Sequence, residues 1–209
     1  MNSGASFVFV VDDDHRVREA LCSLLESCGL RHAEFATAAA YLKAEKPDCP
    51  GCLLLDLELP DANGLEVQER LLSDGGPPIV FITGRGDIPS SVQAMKSGAV
   101  EFLLKPVKKD ELLRAIQEGL RRDRAARDAR STTVELQRRY GLLTPREREV
   151  LPFVVAGFAN KRTAGELGNS EFTIGIQRGQ VMRKMGARSL AELIRMADKL
   201  GVAPKTPHK

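Results

Sequence analysis

The sequence predicts an α/β domain, a (βα)₅ doubly wound parallel sheet, joined by a helical linker to an all-α domain of four helices arranged as a helix-turn-helix. Three observations predict this. Over residues 1–122, five short apolar runs alternate with stretches of helical spacing, which right-handed crossovers turn into a parallel sheet covered on both faces. At Thr144-Pro145-Arg146-Glu147 a capping-box start signal opens a second pattern that is helical throughout. The charge divides as well: residues 1–122 hold 14 Lys+Arg against 19 Asp+Glu, and residues 123–209 hold 17 against 9. An acidic half joined to a basic half implies two domains with different partners, the second polyanionic. The expected boundaries are 1–122 for the sheet domain, 123–141 for the linker and 142–209 for the helical domain.

Composition excludes several classes. The 209 residues are 28% charged and 43% hydrophobic, the balance of a globular protein. No apolar run approaches the ~20 residues of a membrane helix. Met1-Asn2-Ser3-Gly4-Ala5 lacks the basic start and apolar core of a signal peptide. A cytoplasmic protein with no membrane partner is expected. Four cysteines are too few for a disulfide framework in a chain this long. Cys49-Pro50-Gly51-Cys52 is a lone CxxC; zinc sites usually need a second ligand pair, and Cys22 and Cys28 are not spaced as one.

In chain order, Phe7-Val8-Phe9-Val10-Val11 is a compact β-branched and aromatic run that reads as a buried strand. It ends in Asp12-Asp13-Asp14. A helix with apolar spacing at Val17, Leu21, Leu24 and Leu25 follows and stops at Gly29. A weak strand (31–35) and a short helix (38–44) lead to Cys52-Leu53-Leu54-Leu55-Asp56, an apolar run that delivers one carboxylate to the carboxyl end of a buried strand. Asp61-Ala62-Asn63-Gly64 has turn chemistry, with Gly64 suited to positive φ. A helix with Leu65, Val67, Leu71 and Leu72 comes next, then the strand Pro78-Ile79-Val80-Phe81-Ile82 ending at Thr83-Gly84. A helix beginning near Pro89 carries Val92 and Met95 and ends before Gly98; Glu101-Phe102-Leu103-Leu104 is the last strand, running into Lys105-Pro106.

Strand ends thus bring Asp12/Asp13, Asp56, Thr83 and Lys105 to one edge of the sheet. Three adjacent carboxylates repel one another unless something positive lies between them. Asp14 could be a helix N-cap with the other two solvated. With Asp56 on an adjacent strand, a site for a hard cation such as Mg²⁺ is the better reading. Together with the Lys105 charge and the Thr83 hydroxyl, this is the set that phosphoryl transfer to a carboxylate requires. Asp56 is then the nucleophile. No further catalytic set is visible, since His15, His32 and His208 are scattered.

Residues 5–122 resemble the receiver domain of two-component response regulators, and Ile82–Pro89 and Ala94–Ala99 are similar to the FixJ-like subgroup. The resemblance implies that Asp12 and Asp13 are the acidic cation pair and Asp56 the phosphoacceptor, charged by a histidine kinase with Mg²⁺ as cofactor. It makes Thr83 the switch hydroxyl and Phe102 the switch aromatic, with Lys105 beside the phosphate. It further implies that the Glu58 main-chain carbonyl is a metal ligand and that the Lys105–Pro106 bond is cis. Leu59 stands where that subgroup often has Met, and Glu58 and Arg85 where many relatives carry a basic residue and a His. An ion pair between Glu58 and Arg85 across the mouth of the site is expected, against two solvated side chains.

Leu112, Leu113, Ile116 and Leu120 continue the receiver's last helix. The stretch 121–130, rich in Ala and charge with little to bury, reads as an exposed helical linker and a solvated face rather than a nucleic-acid arm. In the second domain Thr144 is the N-cap, Pro145 the first helical residue and Gly157 the stop. Helices are expected over 160–167, 171–185 and 190–200, with Gly168-Asn169-Ser170 as the tight turn of a helix-turn-helix, whose second helix enters the major groove.

Residues 142–201 resemble the LuxR-type helix-turn-helix output domain, carried by Leu143–Leu151, Asn160-Lys161, Ala164–Gly168, Val181–Met185 and Gly186–Leu193. The resemblance implies double-stranded DNA as partner, contacted by Lys161, Thr173, Gln177, Arg178, Arg183, Lys184 and Arg188. The recognition helix departs from the family: Thr-Val-Lys-x-His-Arg becomes Thr173-Ile174-Gly175-Ile176-Gln177-Arg178, and Gly179 follows. Each glycine costs ~1 kcal/mol of helix stability relative to Ala. Asn169 and Thr163 stand where Ile is usual. Two functions are therefore weighed. One is a transcription regulator that dimerises on phosphorylation through the face of the fourth helix, fifth strand and fifth helix (89–97, 101–104, 109–120). The other is a phosphorylation-controlled protein-interaction module whose output helix has lost sequence-specific DNA binding.

Overall fold

A computed structural model describes residues 6–84 and 88–206. The chain folds as two units, Met1–Arg127 and Asp128–Lys209. In the first, β1 (Phe7–Val11), β2 (Arg31–Phe35), β3 (Gly51–Leu55), β4 (Ile79–Thr83) and β5 (Glu101–Leu104) form one parallel sheet in the order β2-β1-β3-β4-β5. Between them run α1 (His15–Ser27), α2 (Ala38–Lys43), α3 (Gly64–Ser73) and α4 (Ile88–Lys96), and α5 (Lys109–Gly141) follows.

Side chains alternate across a strand, so each buried strand supplies two cores. Val8, Val10, Leu54, Val80 and Ile82 pack with Leu21 and Leu25 of α1 and Leu112 and Ile116 of α5. Phe9, Val11, Leu53, Leu55 and Phe81 pack on the other face with Tyr41, Val67, Leu71 and Ala94. Gly119 of α5 lets that helix lie close to the sheet, because a Cβ there would stand 2.7 Å from the buried Cys52 Sγ. Burial lifts the Cys52 thiol to about 12, where it is an inert core residue.

Two expectations are corrected. Gly64 does not need positive φ. It is the first residue of α3, capped by Asn63 Oδ1 on the Leu65 N–H at 2.9 Å. The stretch 121–130, expected to be an exposed helix with little to bury, is helical as part of α5, but Asp123 within it is buried. Asp123 is buried because its Oδ2 accepts from the Gly51 N–H and from Arg127 Nε, both at 2.8 Å.

The second unit holds α6 (Pro145–Val155), α7 (Asn160–Leu167), α8 (Glu171–Met185) and α9 (Leu190–Lys199). Thr144 and Glu147 form the capping box. Gly168, at φ 65°, makes the turn between α7 and α8. Leu143, Val150, Leu151, Val154, Ile174, Val181, Met185, Leu193 and Ala197 form the core. Among the described residues no helix is long and apolar enough to cross a membrane.

Candidate functional site

Strand register assembles the first site. Val11 lies opposite Leu55, so Asp12 and Asp56, the next residue of each strand, emerge side by side. The Asp56 N–H donates to Val11 O at 2.8 Å. Thr83 lies opposite Leu104, and the Lys105 N–H donates to Thr83 O at 2.8 Å. Lys105 Nζ reaches across the edge to stand 2.6 Å from Oδ2 of both Asp12 and Asp56. Asp12 Oδ2 has no hydrogen-bond partner of good geometry, so the ion pair at that distance is the interaction that governs it. Asp12, Asp56 and Thr83 are buried, whereas Asp13 is exposed.

Burial raises the Asp12 carboxyl above its ordinary value against the opposing pull of Lys105. For Lys105 burial works the other way, yet its bonds to the two carboxylates win and its pKa is raised. The ammonium is therefore held charged. One carboxylate oxygen from each of Asp12, Asp13 and Asp56 lies within 4.8 Å of the others. Three hard oxygen donors this close together fit a divalent cation such as Mg²⁺.

The remaining expected residues fall around this centre. The Glu58 N–H donates to Asp56 Oδ1 at 3.2 Å while its side chain is exposed. Arg85, the expected partner of that side chain, and His208 lie outside the described residues. Phe102 is half-buried, its ring centroid 6.1 Å from that of Phe81. The Lys105–Pro106 peptide is cis.

Two residues that sequence reasoning passed over also belong here. Arg18 is buried, and its Nη1 donates to the main-chain oxygens of Asp12 at 2.8 Å and Asp13 at 3.0 Å. Its spacing to Leu21 and Leu25 already put it on the apolar face of α1. Asp61 accepts from the first amides of α2, Ala38 N–H at 3.2 Å and Ala39 N–H at 2.8 Å, so the loop after Asp56 is tied down at both ends.

In the second unit the expected DNA-contacting residues separate into two groups. Lys161, Arg183 and Arg188 are exposed. Arg178 Nη1 donates to Phe158 O at 3.2 Å, and Lys184 Nζ lies 2.7 Å from Glu147 Oε2; both cations already hold the helices together. Thr173 is half-buried, its hydroxyl 2.8 Å from that of the N-cap Ser170. Gln177 is half-buried too, with Oε1 lacking a protein partner. The unusual Thr163 is buried with its hydroxyl on Ala159 O at 3.2 Å, and Asn169 Nδ2 donates to Leu167 O at 3.1 Å. Each polar substitution is thus satisfied locally.

Residues 8–117 match the family described as response regulator receiver domain, and residues 141–197 the bacterial regulatory proteins of the luxR family. Nodulation protein W of Bradyrhizobium diazoefficiens is 46% identical over 202 residues, covering 96% of this chain and 89% of that protein. The transcriptional regulatory protein FixJ of Azorhizobium caulinodans is 42% identical over 198 residues, 94% of each chain. The solved structure of the response regulator StyR is similar at a TM-score of 0.84 with 44% identity, over 94% of this chain and 100% of that one.

Proposed function

Because this chain belongs to the response regulators that join a receiver domain to a LuxR-type DNA-binding domain, and so regulates transcription under the control of phosphorylation, we propose that Asp56 is the residue that carries the phosphate. The observation behind this is the meeting of Asp12, Asp13, Asp56 and Lys105 at one sheet edge. A carboxylate oxygen of Asp56 attacks the phosphorus of a phosphohistidine on a partner kinase. The bond to the imidazole nitrogen breaks, the imidazole leaves, and an acyl phosphate remains. Water later attacks that phosphorus and returns the carboxylate. Beyond this self-transfer and the hydrolysis that releases inorganic phosphate, the protein is not an enzyme.

Asp12, Asp13, Asp56 and, as the resemblance implies, the Glu58 carbonyl would hold Mg²⁺, which when bound would supply positive charge to offset that of the phosphoryl group. Lys105 adds a fixed ammonium, and the Glu58 N–H already bonds the acceptor carboxylate. Such preorganised donors and charges are the main resource for phosphoryl transfer. Thr83 donates its hydroxyl to a phosphoryl oxygen, and Phe102 follows into the space that it vacates. Ile88, Val92 and Met95 of α4 and Leu104 of β5 are exposed apolar side chains that suit pairing of two copies through the α4–β5–α5 face. Paired output domains then meet a two-fold site on double-stranded DNA in the cytoplasm. Lys161, Arg183 and Arg188 bind phosphates, while Thr173 and Gln177 lie on the recognition helix.

The test is a mobility shift on the duplex upstream of the protein's own operon, with and without acetyl phosphate and Mg²⁺. Phosphorylation is expected to strengthen the shift, and Asp56→Asn to abolish that gain. Equal shifts in all states would refute the assignment of Asp56.

A further inference from the structure

The outward stripe of α8 runs through positions 172, 175, 176, 179 and 183, which share one helix face by their spacing of three and four. In this chain those positions are Phe172, Gly175, Ile176, Gly179 and Arg183. The opposite face, with Ile174, Val181 and Met185, is buried in the core. Phe172 is 79% exposed and Ile176 51% exposed. A Cβ at Gly179 would meet nothing within 4 Å, and one at Gly175 only Asn160 Nδ2 at 3.5 Å. From Phe172 to Gly179 this stripe therefore offers no side-chain donor or acceptor. Phe172 also has no part in starting the helix, since Ser170 caps it through the Thr173 N–H.

The second helix of a helix-turn-helix places its N-terminal residues against base edges in the major groove. The one apolar group displayed there is the C5-methyl of thymine. Two glycines on the same stripe remove the side chains that would hold the helix backbone away from the bases. Exposed cations are also present, Lys161 and Arg162 on α7, Arg183 at the far end of the stripe and Arg188 after α8; these answer to phosphates and position the helix without reading sequence.

We propose that Phe172 is a specificity-determining residue of this output domain: it packs on a thymine methyl in the major groove, with Ile176 extending the apolar contact one turn along the stripe. Selectivity for thymine through shape replaces the hydrogen-bond readout that Gly175 has given up. The proposal rests on the DNA-binding reading above and deepens it.

The experiment is selection of duplexes from a randomised pool by the full-length chain in acetyl phosphate and Mg²⁺, run in parallel with Phe172→Ala. The side chain is exposed, so the variant is expected to keep the wild-type melting temperature. Wild type should enrich thymine at a fixed position of each half-site, and Phe172→Ala should lose that preference while still binding the pool. Replacing that thymine by uracil removes one methyl. It should weaken wild type about four-fold, the worth of a buried methyl group, and leave Phe172→Ala unchanged. An identical consensus for both chains, or an equal loss with uracil in both, would overturn the role of Phe172. Failure of the wild-type chain to enrich any sequence would overturn sequence-specific DNA binding itself, and this inference with it.

Discussion

Gly64 is seated on the main chain of Asp56: a Cβ at position 64 would lie 2.7 Å from Asp56 O and 3.0 Å from Leu57 Cα. The Gly64 N–H meanwhile donates to Leu57 O at 2.8 Å. Backbone, unlike the end of a flexible side chain, has little room to give. Gly64→Ala is therefore expected to cost about 1–3 kcal/mol and to slow phosphorylation of Asp56 by displacing its strand end. Urea denaturation and the rate of labelling by acetyl phosphate check the two parts separately.

Lys105 is the charge that makes burial of Asp12 and Asp56 tolerable. Burial raises the Asp12 pKa, and Lys105 opposes that rise. A carboxyl whose folded value lies above its unfolded value binds more protons in the folded state, so stability falls as pH rises through that window. Lys105→Met removes the opposing charge and raises Asp12 further. A loss of about 3 kcal/mol is expected at neutral pH without Mg²⁺, partly recovered as pH falls through the raised Asp12 value. Melting curves over a pH series test this.

Asp13 separates cation binding from folding. Its side chain is exposed, so Asp13→Ala should leave the melting temperature in chelator unchanged. The wild-type chain should gain about 2.7 kcal/mol with Mg²⁺ at a hundred times its Kd, and the variant little or none. Calorimetry with and without Mg²⁺ measures both.

The start of α6 carries a carboxylate whose charge matters to the helical domain. Burial of Glu147 opposes ionisation, yet Lys184 and the Thr144 amide and hydroxyl overcome it and depress the pKa. A depressed carboxylate contributes stability above its unfolded value, and that contribution disappears as pH falls through the folded one. Amide exchange in the first turn of α6 should therefore quicken on acidification below the ordinary carboxylate range. Glu147→Gln should show about 1 kcal/mol less protection at neutral pH and a flatter response to acid.

The strands, both domains and the Asp12–Asp56–Lys105 constellation were legible because each rests on a local rule: a buried strand is continuously apolar, and its carboxyl end is where chemistry collects. Residues whose role depends on what lies across space were not legible. Gly64 carries turn chemistry in its own neighbourhood, and only the packing against Asp56 explains it. The charge-rich run after Leu120 reads as solvated, yet Asp123 is drawn inside by the Gly51 amide 72 positions earlier. Arg178 and Lys184 count as free cations in a sequence, whereas Phe158 and Glu147 occupy them in the fold.

The strand order leaves β2 and β5 at the two margins of the sheet. Both are short, with five and four residues. Both expose charge, Arg31 and Glu34 on one and Glu101 on the other. Brief, charged margins discourage a second chain from adding a strand, which is the usual route to runaway aggregation. Main-chain pairing of that kind would also lie two strands away from the carboxylate at the end of β3. With that route disfavoured, side-chain surfaces such as the exposed Ile88, Val92 and Met95 of α4 are what a second copy is left to meet.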